Sequence, residues 1–147
     1  MPIKRHKALQ PLSRDHHQGL ILAQQLKKGA PQYKGMPATL EEKKNYSISF
    51  YKNDLKKHFK DEEKILFPLV KSKNEDVDKM IMEIISEHRK METLIKDLEV
   101  TNQIENVLDE LGCLLEKHIR KEERELFPAI EESLTESELS ELKTKLK

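Results

Sequence analysis

Residues 55–70 read LKKHFKDEEKILFPLV, and residues 115–130 read LEKHIRKEERELFPAI. The two stretches align without a gap, and they share a leucine, a histidine, two adjacent glutamates and a Leu-Phe-Pro run. An internal repeat usually marks one structural unit, and a solenoid needs at least about three repeats for stability. Two copies therefore favour a bundle built from two similar halves.

Each copy carries the spacing H-x-x-x-E, as His58 with Glu62 and as His118 with Glu122. In a helix, residues four apart lie on one face with their Cβ atoms about 5–6 Å apart. That spacing lets an imidazole and a carboxylate converge on one metal ion or on a pair of ions. Sets of His and Glu that project into a helical bundle are how carboxylate-bridged di-iron sites are built.

The composition restricts the class of protein. The chain has 147 residues, of which 37% are charged, with 27 Lys+Arg balanced by 27 Asp+Glu. This balance argues against nucleic acid or a membrane surface as the main partner. The single cysteine, Cys113, excludes a multi-cysteine metal site, and we expect it to be a small buried side chain. No apolar run reaches membrane-spanning length and no signal-peptide core is present, so a cytoplasmic location is the default expectation.

The long segments are rich in Lys, Glu, Leu and Ile, which is a helical composition. Apolar steps of three and four predict an all-α fold, an antiparallel up-down-up-down four-helix bundle with a short C-terminal helix. We expect one domain over residues 1–147, with the bundle at about 9–130 and a helical extension at 135–146. The predicted helices are about 12–28, 39–68, 77–98 and 104–128, with a loop at 29–38 and a link at 71–74.

Local signals set the predicted ends of these helices. Ser13 is the candidate N-cap of the first helix, and Thr39 and Thr135 each open a capping box. Pro68 should kink or end the second helix, because proline lacks an N–H and clashes with the preceding turn. The apolar stripe predicted to precede Pro68 includes Ile65, and it continues to Leu69 beyond it.

Each of the four long helices places one histidine in its apolar seam, and two of them add a glutamate one turn later. The candidate metal ligands are His16, His58, Glu62, His88, His118 and Glu122. His16 and His17 point about 100° apart on a helix. The stripe through His16 is apolar, so His16 is the preferred first-helix ligand, but the choice between the two stays open.

A single histidine on an apolar face is ordinarily a satisfied core residue. Four histidines and two glutamates buried together are not explained in this way. Buried histidines and carboxylates without partners cost roughly several kcal/mol each. A metal would compensate them directly. Nitrogen and oxygen ligands suit Fe, Mn or Zn, and two bridging carboxylates favour two ions. Open coordination positions would then accept O₂, NO, peroxide or water.

The chain resembles the hemerythrin-like, or HHE cation-binding, domains over roughly residues 9–130. The resemblance is carried by D-H-H at 15–17, H-F-K-D-E-E at 58–63, E-H-R at 87–89 and H-I-R-K-E-E at 118–123. It implies a four-helix bundle with a non-haem di-iron centre. By that resemblance the four seam histidines are terminal ligands, and Glu62 and Glu122 bridge two iron ions.

The chain differs from the oxygen-carrying hemerythrins at two positions. Glu92 stands where they have a second histidine on the third helix, and Glu123 stands where they have an aspartate. The fifth histidine is therefore missing, and Glu92, His17 or a water could supply the additional ligand. Glu63 and Glu123 are expected to face solvent or to hydrogen-bond a ligand histidine. The resemblance is nearer to members linked to iron handling, O₂ or NO sensing and repair of damaged iron centres.

Three functions follow from these features. The leading one is a di-iron protein that binds or senses O₂ or NO, or handles iron, as a monomer or homodimer. The alternative is a di-iron enzyme or repair factor that acts on peroxide or NO, so enzymatic activity stays undecided. The second alternative is a metal-free helical interaction protein. A histidine phosphotransfer bundle is a weaker reading, because it needs an exposed histidine and the four candidates point inward.

Overall fold

The structure, a computed structural model, describes residues 5–30, 35 and 37–146. Over these residues the chain forms five helices and no strand, which confirms the all-α prediction. The helices are α1 (Gln10–Leu26), α2 (residues 40–70), α3 (Glu75–Val100), α4 (residues 104–133) and α5 (Glu136–Lys145). Residues 31–34 and 36 of the expected loop lie outside the described residues. No helix in the described ranges combines the length and apolar character needed to cross a membrane.

Two of the helices contain π-helical turns, in which the backbone bonds from residue i to i−5. In α2 these turns are Tyr51–Leu55 and Glu62–Leu66, and in α4 the turn is Glu122–Leu126. The turns that begin at Glu62 and Glu122 occupy equivalent places in the two repeats. A π turn holds one residue more than an α turn, and such turns frequently occur at functional sites.

The π turn after Glu62 corrects the predicted stripe of α2. Leu66 and Val70 are fully buried, whereas Ile65 and Leu69 are only partly buried. The additional residue rotates the helix after Glu62, so the inward face shifts by one position. Pro68 does not end the helix at its own position, because the helix continues to Val70.

The helix starts are partly as predicted. The prediction of Ser13 as an N-cap is wrong: α1 begins at Gln10, with Pro11 in its first turn. Proline costs little there, because the first N–H groups of a helix have no intrahelical partner. Thr39 and Thr135 do form capping boxes. Cys113, which was expected to be buried, is exposed.

The core consists of two apolar clusters. The first contains Leu12, Leu66, Ile84 and Leu126, together with Leu139 and Leu142 of α5. The second contains Leu22, Phe59, Met91 and Leu115. Each of α1 to α4 therefore contributes to both clusters. The candidate ligands lie where each helix passes from one cluster to the other, with His58 and His118 one residue before the last member of the second cluster, Phe59 or Ile119. The sequence thus places a polar layer between two apolar ones.

Candidate metal centre

The six predicted ligands lie together in this polar layer. Glu62 and Glu122 are completely buried, and the four histidines are each at most 4% exposed. They form two sets that share both glutamates: His16 and His58 with the pair, and His88 and His118 with the pair. Within each set, one potential ligand atom per residue lies within 4.8 Å of all the others.

The two possible additional ligands lie elsewhere. His17 is exposed, so of the adjacent histidines it is His16 that joins the cluster. Glu92 accepts a hydrogen bond from the Tyr51 hydroxyl at 3.1 Å, and it pairs with Arg89 at 3.3 Å. Neither His17 nor Glu92 belongs to the two sets.

A second layer of carboxylates surrounds the histidines. Each Nδ1 atom lies within hydrogen-bond distance of one carboxylate: His58 with Asp15 (3.0 Å), His88 with Glu63 (2.8 Å), His118 with Glu87 (2.8 Å) and His16 with Glu123 (3.2 Å). Each carboxylate comes from the helix before that of its histidine, and α4 returns to α1, so the four contacts close a ring. A carboxylate that accepts from Nδ1–H leaves the Nε2 lone pair free for a metal.

The sequence left two members of this ring open and missed the other two. Glu63 and Glu123 were expected either to face solvent or to hydrogen-bond a ligand histidine, and they contact His88 and His16. Asp15 and Glu87 were not predicted as partners. The available signal was adjacency, because Asp15 and Glu87 each directly precede a candidate ligand on a helix. Adjacent residues point about 100° apart, so one faces the centre while its neighbour faces the next helix.

The inner atoms of the cluster have no hydrogen-bond partners among the described residues. These atoms are Nε2 of all four histidines and both carboxylate oxygens of Glu62 and Glu122. The Nε2 atoms approach carboxylate oxygens at distances from 2.5 Å (His118 to Glu122) to 3.7 Å (His16 to Glu122), without the alignment of a hydrogen bond. Leaving one buried polar group unsatisfied costs about 1–3 kcal/mol. Shared cations would satisfy all eight atoms, so the donor set fits a metal.

The electrostatics of the cluster also fit a cation. Burial and the neighbouring Glu122 carboxylate raise the pKa of Glu62 well above its ordinary value. Burial and the adjacent His118 lower the pKa of His88 to about 2. Two carboxylates that share a buried site cannot both ionise cheaply. A cation between them would remove that penalty, and neutral His88 is the protonation state that binds a metal.

Aromatic rings cover the cluster. Phe59 stacks on His88 with ring centroids 3.9 Å apart, and Phe127 stacks on His16 at 5.5 Å. Both phenylalanines are nearly or completely buried. They keep bulk water from the inner carboxylates, which strengthens every electrostatic interaction inside the layer.

A helical protein with two sets of buried imidazoles around a shared carboxylate pair is a cation-binding protein by its donor chemistry. Residues 8–130 match the family described as the hemerythrin HHE cation binding domain. This match covers most of the chain, which therefore belongs to that family. No curated protein and no solved structure gives a significant match to the chain.

Proposed function

We propose that this protein carries a carboxylate-bridged pair of non-haem iron ions, with Mn or Zn as possible substitutes. His16 and His58 would be the terminal ligands of one ion, and His88 and His118 those of the other. Glu62 and Glu122 would bridge them. The observation that carries the proposal is the set of eight unpartnered, buried ligand atoms, which fall into two groups sharing both carboxylates.

The bound ions would supply redox chemistry and open coordination positions for O₂, NO or peroxide. The chain's own groups do the rest. The four outer carboxylates hold each imidazole in one orientation and one tautomer. Phe59 and Phe127 exclude water from the bridging carboxylates. With two imidazoles and two shared carboxylates per ion, the protein leaves coordination positions for a small ligand on both ions.

The order of the two apolar clusters along the chain supports the proposed up-down-up-down topology. Helix α1 passes from the first cluster to the second, α2 returns, α3 passes forward again and α4 returns. We propose one domain, with a bundle at about 9–130 and the α5 segment added to its first cluster.

Binding or sensing of O₂ or NO, or iron handling, is the leading role, and reduction of peroxide or NO by the same centre is the alternative. Position 92 is a glutamate, where the oxygen-carrying hemerythrins have a second histidine on this helix. This difference separates the proposed ligand set from that of an oxygen carrier. A metal-free interaction protein is the remaining candidate, and it would have to leave eight buried polar atoms uncompensated.

Elemental analysis of the purified protein tests the proposal, with absorption spectra before and after exposure to air. About two iron atoms per chain, with new near-ultraviolet bands on oxidation, are expected from two-ion carboxylate chemistry. A folded protein that contains no metal and takes up no Fe²⁺ under argon would contradict the proposed iron centre. That result would favour a metal-free interaction protein.

Two matched pairs of variants locate the ligands. His16→Ala should lower the metal content, whereas His17→Ala, the same change at the exposed neighbouring residue, should leave it unchanged. Glu62→Ala should lower it more than Glu63→Ala, because Glu63 acts only through His88. Equal metal content within either pair would contradict the assigned ligands.

A further inference from the structure

Resting on the proposed function, we infer that metal ions reach the centre on one side only, through a small cavity beside His16 and His58. Asp15 and Asp54 line this cavity, and their carboxylates would attract the cation. The inference makes the two halves of the centre unequal: both histidines of the His16–His58 half line the route, and only His118 of the other half does.

The cavity holds about 10 Å³ of free space, which is close to the size of one water molecule. Its walls include His16, His58 and His118, together with apolar side chains such as Leu55 and Phe59. A void of this size admits a bare cation or a single water-sized molecule. It does not admit an organic ligand.

The three histidines that line this cavity each have a ring nitrogen without a hydrogen-bond partner among the described residues. Nε2 of His16, His58 and His118 is in each case buried and without a hydrogen bond among the described residues. His88 does not line the cavity. A cation arriving here would therefore meet both histidines of the His16–His58 half but only His118 of the other half.

The outer carboxylates differ between the two halves. The Asp15 side chain, which holds His58, is 55% exposed, whereas those of Glu63 and Glu87, which hold His88 and His118, are 19% and 15% exposed. Arg89 also pairs with Glu63, and Phe59 covers the face of His88. Glu63 is thus largely buried and cross-linked, while Asp15 lies in contact with solvent. Glu123, which supports His16, is intermediate at 27% exposed and also contacts Ser13 and Arg5.

The charge at the cavity is negative. Asp54 is exposed and makes no side-chain hydrogen bond or ion pair within the described part of the chain. On the same helix, Lys57 pairs with Asp61 at 2.7 Å. Asp54 therefore presents an unpartnered carboxylate at the cavity, beside Asp15, whose carboxylate contacts Nδ1 of His58. Negative charge at such an opening raises the local concentration of cations and their rate of association.

The rate of Fe²⁺ uptake tests this route. Metal-free protein is mixed with Fe²⁺ under argon at low salt, and free Fe²⁺ is followed with a colorimetric chelator. Asp54→Asn should slow uptake roughly two- to fivefold, and the difference should disappear at high salt. Asp97→Asn, an equal charge change at an exposed position on α3, should not slow it.

Gly19→Ala supplies a steric test at the cavity wall. Its new methyl group would project toward Ile119, another wall residue, so it should slow uptake at both low and high salt. The final iron content of Asp54→Asn and Gly19→Ala should equal that of the unmodified protein, because neither residue is a ligand.

Slower uptake in both variants, with unchanged final content, supports the cavity as the route. Uptake at the unmodified rate in both variants would overturn it while leaving the proposed centre intact. Failure of the unmodified protein to take up Fe²⁺ at all would instead refute the proposed function, and the route with it.

Discussion

Nδ1 of His118 lies 2.8 Å from a carboxylate oxygen of Glu87, and this contact joins α4 to α3 at the outer edge of the polar layer. Glu87→Gln keeps the size of the side chain but removes the charge that fixes the imidazole tautomer. We expect it to weaken metal binding about 10–100-fold, the usual effect of losing such a partner. Competition with a chelator of known affinity measures the change.

Glu99→Gln is the matched control for this prediction. Glu99 lies on the same helix as Glu87, and it is exposed and outside the metal cluster. Its substitution should leave the affinity within experimental error. If both variants bound metal as tightly as the unmodified protein, the Glu87 contact would have no role in holding the ligand.

Two buried glycines at the contact of α1 with α4 should respond differently to alanine. A Cβ at Gly19 would lie 2.7 Å from Cδ1 of Ile119, the movable end of a side chain. A Cβ at Gly112 would lie 2.8 Å from the carbonyl oxygen of Ala23, which is backbone. Gly19→Ala should therefore stay within about 1 kcal/mol of the unmodified protein in unfolding free energy, since removing a helical glycine offsets the crowding.

Gly112→Ala should destabilise the protein by about 1–3 kcal/mol, because α1 must move away to make room. Urea unfolding of the metal-free variants compares the two directly. An equal loss of stability in both variants would contradict this prediction. It would show that α1 and α4 can separate at Gly112 without an additional cost in free energy.

The π turn after Glu62 makes a prediction about two adjacent residues. Leu66 is fully buried and Ile65 is partly buried. Leu66→Ala should cost about 2–5 kcal/mol of unfolding free energy, the usual range for a core leucine. Ile65→Ala should cost clearly less. The reverse order would support the uninterrupted α-helix that the sequence pattern predicts.

The pH dependence of stability has one clear contributor outside the centre. Glu116 accepts hydrogen bonds from Lys27, Gln24 and Arg120, and the contacts with Lys27 and then Arg120 lower its pKa to about 2. A carboxyl group whose pKa is lower in the folded state stabilises that state above its ordinary pKa. The contribution is lost as the pH falls from about 4.5 toward 2.

Glu116→Gln should therefore reduce stability near pH 7, by about 1 kcal/mol or less because the group is close to the surface. The difference from the unmodified protein should shrink as the pH falls through that window. Denaturant titrations of both proteins at pH 7 and at pH 3 test this. A difference that grew at the lower pH would contradict the assigned ion pairs.

The sequence predicted the features that depend on periodicity. Steps of three and four identified the four long helices, and on α3 the predicted seam through Ile84, His88 and Met91 is buried as expected. The same reasoning brought the six candidate ligands into one layer. This reasoning succeeded because each of the four helices has one histidine in its buried face at a matching depth. A four-helix bundle can then bury these side chains in few ways other than in one shared layer.

The sequence did not predict features that depend on local register or on neighbouring helices. Regular α-helical geometry placed Ile65 inward, and only the π turn moves Leu66 to that position. Asp15 and Glu87 act on histidines of other helices, so spacing within one helix could not reveal them. Cys113 is exposed although a small apolar side chain is more often buried.

The π turns after Glu62 and Glu122 also bear on how the chain arose. Both begin at the same position of the repeat and both precede the same Phe-Pro pair. One residue inserted into a single ancestral hairpin, before that hairpin was duplicated, explains both at once. Deleting one residue from either turn should then restore a regular helix there while rotating the following buried phenylalanine, Phe67 or Phe127, out of the core.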